Sequence, residues 1–488
     1  SQTYGGLLTL STNAILSNTG TNGNINFGDS VSGSNYNLTL DTTGAVAQNG
    51  AMTLSGLGLR GAGTYTLNST SNSVETFASE ATGTIDFNNN GSFFVGTVNE
   101  ITGIKMGDNS VTLKAAGTNG DLTISHAILK DSGTGTGNLT LQSNNDVILS
   151  QAITSGSGKL NLTFIADSDT SGGGATNIAA NINTNGGGLT ATGGSGTVNV
   201  TSGTLTLGGA TVINNLNLLG GILDGAGTGI LTTSGAVNIT GTNRLDRMIW
   251  NNDGAITIKD DGQLKLDNSA TLDNNADGTI DLQGTSGTPL AWAGSGGNTF
   301  NNYGKLTKNT DADQILDING DINNYGTFTL GDSTGALTIA NSGSHTGTFA
   351  LGADSTLNFN GGSASVYGWD RPSDAETGLF TGTGQVKLTS GTIQVDAVQT
   401  MGAGGPSLYL AAGTLQGTQN LTLNNAVTME GVAITDAGLL TTGGTVNITG
   451  NPRLEAKTWD NTGTITISGS GQLKLDNSAT LDNNADGT

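Results

Sequence analysis

Apolar and polar residues alternate in short runs along most of the chain. After Trp250 the apolar residues Ile256, Leu264, Leu272 and Ile280 follow one another at intervals of eight, each in an alternating run bounded by Gly, Asn or Asp. Alternation with period two is typical of β-strands that bury one face. Three such strands and their turns take about 22 to 24 residues, a length suited to one coil of a solenoid. The pattern therefore predicts an all-β chain that folds as a parallel β-helix (β-solenoid) rod with about 22 residues per coil.

A longer repeat is superimposed on the coils. Residues 244–279 and 453–488 have closely similar sequences at an offset of 209 residues, and their last eighteen residues are identical. We interpret 1–195 as an N-terminal β-helical segment, 196–404 as the first copy of a 209-residue period and 405–488 as a second, truncated copy. Because a solenoid grows along one axis by adding repeats, we expect neither end to be a natural terminus. We expect further copies of the period in a longer parent chain.

One short phrase recurs in the repeats: an apolar residue, Asn or Asp, Asn, any residue, and Gly. We interpret it as a fixed corner of the coil, in which the apolar residue closes the core, Asn tolerates a left-handed backbone and Gly completes the bend. Asparagines stacked from coil to coil would form a ladder of amide hydrogen bonds. The predicted corner residues are Trp250, Asn252, Gly254, Asn302, Gly304, Asn324, Gly326, Trp459, Asn461 and Gly463.

The segment 366–380 interrupts the rhythm of the strands, and we predict that it leaves the rod as a protruding loop. It contains a mixed cluster of Asp370, Arg371, Asp374 and Glu376. Glycoside hydrolysis needs two carboxyl groups roughly 5 to 9.5 Å apart, and this is the one cluster in the sequence that suggests such a pair. A polar surface loop is the preferred interpretation. In the same loop Tyr367 and Trp369 are candidate glycan contacts, because aromatic faces can stack on sugar rings.

A second candidate site has the opening of a calcium loop. Asp273, Asn275 and Asp277 match its first three ligand positions, and a glycine follows them. Calcium binds six to eight oxygens and usually needs a bidentate Glu at the twelfth position, where this chain has Gly284. We therefore interpret the motif as a structural turn, with calcium as the alternative, and predict no other cofactor.

The remaining motifs do not predict a catalytic site. Residues 56–61 spell G-x-G-x-x-G, but strand-like sequence follows where a dinucleotide site needs the N-terminus of a helix. The two histidines, His126 and His345, are far apart in ordinary strand sequence, and we expect both to be surface or turn residues. We predict no catalytic residue, no cofactor-binding residue and no enzymatic activity.

Composition narrows the set of partners. Of 488 residues 80 are Gly and only 4 are Pro, and the Gly residues show no collagen period, so they are expected to mark turns. The net charge of −22 repels nucleic acid and anionic membrane surfaces. The chain has no Cys, so no disulfide framework is possible, and no apolar run is long enough for membrane insertion of this segment.

Residues 159–193, together with the phrases NLTLQSNNDVILSQAIT and VTLKAAGTNGDLTI, resemble the repeat region of the filamentous haemagglutinin family. Those proteins are large secreted adhesins of Gram-negative bacteria. The phrases NNYGTFTLG and GTLQGTQNLTLNNAVTM are similar to passengers of autotransporters and other adhesins. The resemblance implies a right-handed β-helical shaft and a secreted or bacterial cell-surface location.

The combined interpretation is a structural shaft of a large extracellular or cell-surface adhesin or filament. Its expected partners are further copies of its own repeat and host, cell-surface or extracellular glycans. The alternatives are a carbohydrate-binding or carbohydrate-cleaving β-helix and a phage tail fibre or tailspike. An active site needs one special groove whereas a shaft can be extended by copying, so the 209-residue repeat favours the shaft.

Overall fold

The computed structural model describes residues 1–194, 196–371 and 378–488. In these residues the regular secondary structure is β-strand alone. Correspondingly, no helix in the described ranges has the length and hydropathy needed to cross a membrane. The strands stack in parallel from coil to coil, at about 22 residues per coil. The predicted all-β parallel solenoid is confirmed.

The chain divides into two compact units. Unit 1 comprises Ser1–Val237 and Asp246–Ile249, and unit 2 comprises Asn238–Leu245 and Trp250–Thr488. The strands β1 to β29 lie in unit 1: β1 (Gln2–Tyr4), β2 (Leu8–Thr9), β3 (Ala14–Asn18), β4 (Ile25–Phe27), β5 (Val31–Thr42), β6 (Ala45–Gln48), β7 (Met52–Arg60), β8 (Thr64–Leu67), β9 (Ser73–Ser79), β10 (Ile85–Asn90), β11 (Phe93–Val95), β12 (Thr97–Val98), β13 (Ile101–Thr102), β14 (Ile104–Met106), β15 (Ser110–Ala116), β16 (Leu122–Ile124), β17 (Ile128–Lys130), β18 (Thr136–Ser143), β19 (Val147–Leu149), β20 (Ile153–Ser155), β21 (Lys159–Ile165), β22 (Thr176–Ile178), β23 (Ile182–Asn183), β24 (Leu189–Thr192), β25 (Thr197–Val200), β26 (Thr204–Thr206), β27 (Ala210–Ile213), β28 (Asn215–Leu218) and β29 (Gly221–Thr233).

The boundaries between the two units fall within β30 (Ala236–Ile239) and β31 (Thr242–Asn252). The strands β32 to β62 belong to unit 2: β32 (Ala255–Ile258), β33 (Gln263–Asp267), β34 (Thr271–Asn274), β35 (Thr279–Leu282), β36 (Leu290–Trp292), β37 (Asn298–Asn302), β38 (Lys305–Lys308), β39 (Gln314–Leu316), β40 (Gly320–Asn324), β41 (Thr327–Leu330), β42 (Ala336–Ile339), β43 (Gly343–His345), β44 (Thr348–Leu351), β45 (Thr356–Asn360), β46 (Val366–Trp369), β47 (Phe380–Gly382), β48 (Gln385–Ser390), β49 (Thr392–Val395), β50 (Gln399–Met401), β51 (Ser407–Leu410), β52 (Thr414–Gln416), β53 (Leu421–Leu423), β54 (Val427–Met429), β55 (Ala433–Ile434), β56 (Leu440–Thr442), β57 (Thr445–Ile448), β58 (Arg453–Glu455), β59 (Thr458–Asn461), β60 (Thr464–Ile467), β61 (Lys474–Asp476) and β62 (Thr480–Asn483).

In unit 1 the strands from β14 to β26 stack in columns in which each pairs with the third strand after it, whereas β4 to β8 pair with the second strand after them. One column runs through β15, β18, β21 and β24, with Leu139 in register with Leu162 and Leu162 with Leu189. Inward Leu, Ile, Val and Phe are buried and the alternate residues face outward. This is the period-two pattern expected from the sequence.

Unit 2 follows the same rule. The column that begins at β33 reaches β60 through nine successive pairings, and the column from β34 reaches β61 in the same number. Thus three strands make one coil. Ile256 in β32 and Ile280 in β35 are examples of stacked core residues, and both are buried.

The 209-residue period is not a whole number of coils. Strand β32 of the first copy corresponds in sequence to β60 of the second, which is 28 strands later in chain order. At three strands per coil, the period is nine coils and one strand. Accordingly β60, the equivalent of β32, lies in the column of β33, and β61, the equivalent of β33, lies in the column of β34. Within unit 2 the second copy is therefore turned by one face of the solenoid.

The predicted loop at 366–380 is wrong at both of its ends. Residues 366–369 form β46, which pairs with β43 and β49, and β47 pairs with β44. Strand β46 remains in the coil because its side chains Tyr367 and Trp369 are fully buried. Residues 372–377 lie outside the described part of the chain.

Candidate functional site

A ladder of buried asparagines runs through unit 2. The side-chain Nδ2 of Asn252 donates to Oδ1 of Asn274 at 2.8 Å, Asn274 donates to Asn302 at 2.7 Å, and Asn302 donates to Asn324 at 2.9 Å. All four side chains are fully buried. Successive rungs are 22, 28 and 22 residues apart in the chain. The predicted amide ladder is confirmed.

Each amide also satisfies the backbone of the adjoining turn. The Nδ2 of Asn302, for example, lies 3.2 Å from the carbonyl oxygens of both Gly304 and Thr327. A buried amide that finds all its partners stabilises the fold, whereas an unpaired one costs about 1 to 3 kcal/mol. The ladder therefore fixes the register of one coil on the next.

The corner asparagines were predicted to adopt a left-handed backbone, and this prediction is wrong. Asn302 and Asn324 end strands β37 and β40, and the left-handed backbone falls on other asparagines, such as Asn268 (φ 53°) and Asn319 (φ 50°). Asn is needed at the corner because its side chain both donates and accepts along the stack.

The predicted role of the corner glycines needs the same correction. A Cβ on Gly326 would lie 2.1 Å from the carbonyl oxygen of Gly304, and a Cβ on Gly304 would lie 2.1 Å from that of Gly278. Successive coils approach too closely at this point for any side chain. Glycine is required here by contact between coils and not by a positive φ.

The corner of the second copy has a related network. Trp250 and Trp459 are both fully buried. The indole Nε1 of Trp459 donates to Oγ1 of Thr442 at 2.8 Å, and that hydroxyl donates to Oδ1 of Asn461 at 2.8 Å. Asn461 donates to Asn483 at 2.7 Å. The predicted core role of both tryptophans is confirmed.

The column of Asn324 continues with an imidazole and an indole. Asn324 is in register with His345, and His345 with Trp369. His345 is fully buried between aromatic rings, 5.3 Å from Phe349 by ring centroids. In the described structure its two ring nitrogens have no hydrogen-bond partner, and burial lowers its pKa to about 3. The surface position predicted for His345 is wrong, whereas His126 is exposed as expected.

Tyr367 and Trp369 are not glycan contacts in this structure. Both rings are fully buried, and they belong to an aromatic core with Phe359 and Phe380. The hydroxyl of Tyr367 donates to the carbonyl oxygen of Ile339 at 3.3 Å, and burial raises the pKa of Tyr367 to about 12. Because the strand alternates, these residues point inward, and no aromatic face is available to a sugar.

The acidic cluster has a different membership from the predicted one. Asp370 and Asp396 are neighbours on successive coils, and Oγ of Ser344 donates to Oδ2 of Asp370 at 2.5 Å. Burial, with a smaller contribution from Asp396, raises the pKa of Asp370, and the Ser344 hydroxyl opposes that shift. Asp374 and Glu376 lie outside the described residues. The partnership of Asp370 with Asp396 arises because each follows a strand of the same column, β46 and β49.

Two exposed tyrosines form a stack that the sequence interpretation missed. The rings of Tyr303 and Tyr325 are parallel within 23°, with centroids 5.0 Å apart, and the residues are 47% and 38% exposed. The available signal was the phrase NNYG, which occurs twice. Its asparagines and glycines were assigned to the corner, and its tyrosines were given no role.

Asp273 and Asn275 of the calcium motif form hydrogen bonds with different side chains. Oδ1 of Asp273 accepts from Nδ2 of Asn301 at 2.8 Å, and Nδ2 of Asn275 donates to Asp253 at 2.7 Å. Asp277 is exposed at the turn. Among the described residues no group of three or more His, Cys, Asp or Glu side chains is placed to hold a metal ion. Calcium binding by Asp273, Asn275 and Asp277 stays a prediction without a test.

The G-x-G-x-x-G motif has a packing role. Gly56 and Gly58 lie in β7, and the short antiparallel hairpin of β12 and β13 covers them. A Cβ on Gly56 would lie 2.9 Å from Val98, and one on Gly58 would lie 3.0 Å from Ile101. The glycines therefore leave room for the hairpin.

Buried lysines are a further feature that alternation alone did not reveal. Nζ of Lys308 donates to the carbonyl oxygens of Thr310 at 2.6 Å and Gly335 at 2.9 Å, and burial lowers its pKa. Nζ of Lys130 lies 2.7 Å from Asp108. These inward lysines satisfy backbone carbonyls at coil turns. The sequence signal was a Lys at an inward position of a strand, as in ILK and KLTK.

Comparison of the chain with protein families, curated proteins and solved structures finds no match.

Proposed function

We propose that the chain is part of the structural shaft of a large extracellular or bacterial cell-surface adhesin or filament. In this proposal the shaft is built from tandem β-helical repeats and serves attachment or the formation of surface fibres. The observation that carries it is the repetition of local backbone between the two copies. Arg247 and Ala456 have φ of 49° and 51°, and Asn268 and Asn477 both have φ of 53°.

A period that reproduces its own turns lengthens a solenoid without creating a new kind of core. The resemblance of residues 159–193 to the filamentous haemagglutinin repeats supports the adhesin assignment. The strong negative charge agrees with a rod that repels its neighbours.

The proposal assigns no catalytic role to the chain. Asp370 and Asp396 follow neighbouring strands of one column, and the other carboxylates of the predicted cluster, Asp374 and Glu376, lie outside the described residues. The 209-residue repeat favours a shaft over the carbohydrate-cleaving alternative, because an active site needs one special groove.

The proposal can be tested by lengthening the chain. A second copy of residues 196–404 inserted after residue 404 keeps the natural junction, because residue 405 corresponds to 196. Nine coils and one strand at about 4.8 Å each add about 45 Å. Small-angle scattering should show the maximum dimension rising by this amount with an unchanged cross-section. A matched insertion of 209 Gly and Ser residues should not preserve the cross-section. Growth of the cross-section with the natural copy would contradict the shaft.

The location is tested separately. Antibody raised against the chain should label intact cells of the source organism as strongly as lysed cells. Labelling confined to lysed cells, with none of the chain in the culture medium, would contradict a surface or secreted location.

A further inference from the structure

A groove opens on the outer face of unit 1, across the stacked strands β18, β21, β24 and β27. Its volume is about 610 Å³, within the range of roughly 300 to 1,000 Å³ that is usual for ligand sites. The strands are in register across it, because Thr163 pairs with Thr140 on one coil and with Thr190 on the next. The polar side chains that line the groove are Thr136, Asn138, Lys159, Asn161, Thr163 and Thr190.

A change from asparagine to glycine forms the floor of the groove. Asn138 and Asn161 are in register on two successive coils, and Gly188 takes the equivalent position on the third. A Cβ on Gly188 would lie 2.2 Å from the carbonyl oxygen of Ala210 on the fourth coil. Contact between coils therefore requires glycine here, and the backbone is left bare beside the Asn161 side chain.

The groove contains a lysine without a counter-charge. Lys159 is exposed, and its Cε lies 3.7 Å from the place that a Cβ would take on Gly186. No carboxylate lines the groove, and among the described residues Lys159 forms no ion pair. The carboxylate of Asp108, which accepts from the backbone nitrogen of Gly135 near one end of the groove, is neutralised by Lys130 at 2.7 Å. The groove is therefore locally cationic although the chain as a whole is acidic.

Amide and hydroxyl groups surround the lysine. Nδ2 of Asn161 donates to Oδ1 of Asn138 at 3.1 Å, and this contact orients the Asn138 side chain. The Nδ2 of Asn138 and the hydroxyls of Thr136 and Thr190 have no hydrogen-bond partner within the described structure, and all three residues are exposed. These groups are able to donate to, and the hydroxyls also to accept from, a ligand rich in hydroxyl groups.

We propose that the groove binds an acidic oligosaccharide, with a uronate carboxylate on Lys159 and sugar hydroxyls on Asn138, Thr136 and Thr190. A hydrogen bond between two ionised groups is stronger than a neutral one, so Lys159 selects for the carboxylate. The charges elsewhere on the chain are screened over about 8 Å at physiological salt, so they do not cancel this contact.

An acidic peptide fits the groove less well. Extended peptides are commonly held by main-chain hydrogen bonds to the free edge of a sheet. Strands β18, β21, β24 and β27 are each paired with a strand on both sides, so no such edge is present in the floor. Recognition must come from side chains, and those of the groove suit a saccharide. The site goes beyond the shaft role, because the dimensions of the rod do not depend on it.

The test is isothermal titration of the full chain with hexagalacturonate, with its methyl ester and with hexaglutamate, in the presence of EDTA to exclude a metal bridge between carboxylates. We expect hexagalacturonate to bind and the uncharged methyl ester to bind at least tenfold more weakly. Lys159→Gln should weaken the binding of hexagalacturonate about tenfold, as expected for loss of a hydrogen bond between charged groups. Lys159→Arg should retain most of the affinity.

The matched control is Lys114→Gln, which removes the same charge from the same face. Lys114 is in register with Gln142 on the coils before the groove and does not line it, so this variant should bind as the parent does. Thr190→Trp places an indole in the groove and should abolish binding. Circular dichroism of each variant checks the fold. The proposal would be overturned by absence of hexagalacturonate binding, by equal losses in Lys159→Gln and Lys114→Gln, by unchanged affinity in Thr190→Trp, or by equally tight binding of hexaglutamate.

Discussion

The same eighteen residues occur twice, at 262–279 and at 471–488, and the two segments share their turn geometry. Asn268 and Ser269 have φ of 53° and 64°, and Asn477 and Ser478 have φ of 53° and 63°. The preceding strands also agree, because Arg244 lies 2.5 Å from Asp267 and its counterpart Arg453 lies 2.6 Å from Asp476. The local sequence therefore determines turn geometry and nearest contacts.

The two segments differ in how completely a neighbouring coil buries their side chains. Leu266 and Ile258 are fully buried, whereas their counterparts Leu475 and Ile467 are 48% and 54% exposed. In the first copy β32 and β33 are covered by β35 and β36, and no described strand covers β60 or β61. The copies also occupy different faces, because the period contains nine coils and one strand. Burial in a solenoid thus comes from the next coil and not from the residue's own repeat.

The largest loss of stability should follow removal of the buried side chain of Trp250. Trp250→Ala should lower the free energy of unfolding by about 3 to 5 kcal/mol, because a large buried ring leaves a cavity. Trp459 is equally buried, between Leu440 and Leu481, but only β60 to β62 follow it in the chain, so the cost of Trp459→Ala should appear as local opening near the second copy. Urea unfolding measures the first and hydrogen exchange the second. Equal midpoints for Trp250→Ala and the parent would contradict the role of coverage.

A second contrast is between the two histidines. His345 is covered by neighbouring coils and has its pKa lowered to about 3 by burial, while His126 is exposed. Between pH 6.5 and about 3 the unfolded chain takes up a proton at His345 that the folded chain does not. Stability should therefore fall as the pH falls through this window, by about 1.4 kcal/mol per unit.

From pH 6.5 to 5 this amounts to about 2 kcal/mol. The measurement is the urea midpoint at both pH values for the parent and for His345→Phe, which removes the titrating group. The pH-dependent loss should be smaller in His345→Phe, and His126→Asn should behave as the parent does. Identical pH dependence in all three proteins would show that His345 does not contribute.

Much of the coil was predictable because its rules are local. Alternation in segments such as Ala255–Ile258 predicts strands, and the repeated corner phrase predicts the stacking of Asn252, Asn302 and Asn324. Both depend on spacing within about one coil, which the sequence displays directly. The fold class and the ladder were accordingly recognised from residues alone.

The features that were missed depend on which coil lies next. Tyr367 and Trp369 looked like loop residues because Pro372 and several carboxylates follow them, yet strand alternation turns both rings inward. The exposed stack of Tyr303 on Tyr325 requires knowledge that two turns coincide in space. The pairing of Asp370 with Asp396 requires the same knowledge of register.

A smaller effect is expected in the asparagine ladder. Asn274 is buried and donates to Asn302, while its counterpart Asn483 is exposed and donates to the carbonyl oxygen of Gly487. Asn274→Ala leaves a buried acceptor on Asn302 without its amide donor and should cost roughly 1 to 2 kcal/mol. Asn483→Ala should cost less, because the Asn461 amide that donates to Asn483 keeps the carbonyl oxygen of Gly463 as an acceptor. Hydrogen exchange at the flanking turns measures both. Equal losses would mean that the ladder contributes nothing beyond local turn geometry.

The smallest change in stability should come from breaking the ion pairs Arg244–Asp267 and Arg453–Asp476. Asp267 is almost fully buried, with a side-chain exposure of 3%, whereas that of Asp476 is 44%. Arg244→Met should cost about 1 kcal/mol and not the larger amount typical of a broken buried pair, because the backbone nitrogens of Asn268 and Ser295 still donate to Asp267. Arg453→Met should cost less than about 0.5 kcal/mol, as is usual for exposed pairs.

The two ion pairs should also differ in their sensitivity to salt. In 1 M NaCl, where the screening length is about 3 Å, the effect of Arg453→Met should vanish and that of Arg244→Met should persist, because a buried pair is screened much less. Urea midpoints of the two variants and the parent, at low salt and in 1 M NaCl, supply the comparison. If both substitutions lost their effect equally in salt, the buried carboxylate of Asp267 would be as accessible to solvent as that of Asp476. Coverage by the next coil would then not be what distinguishes two copies of one sequence.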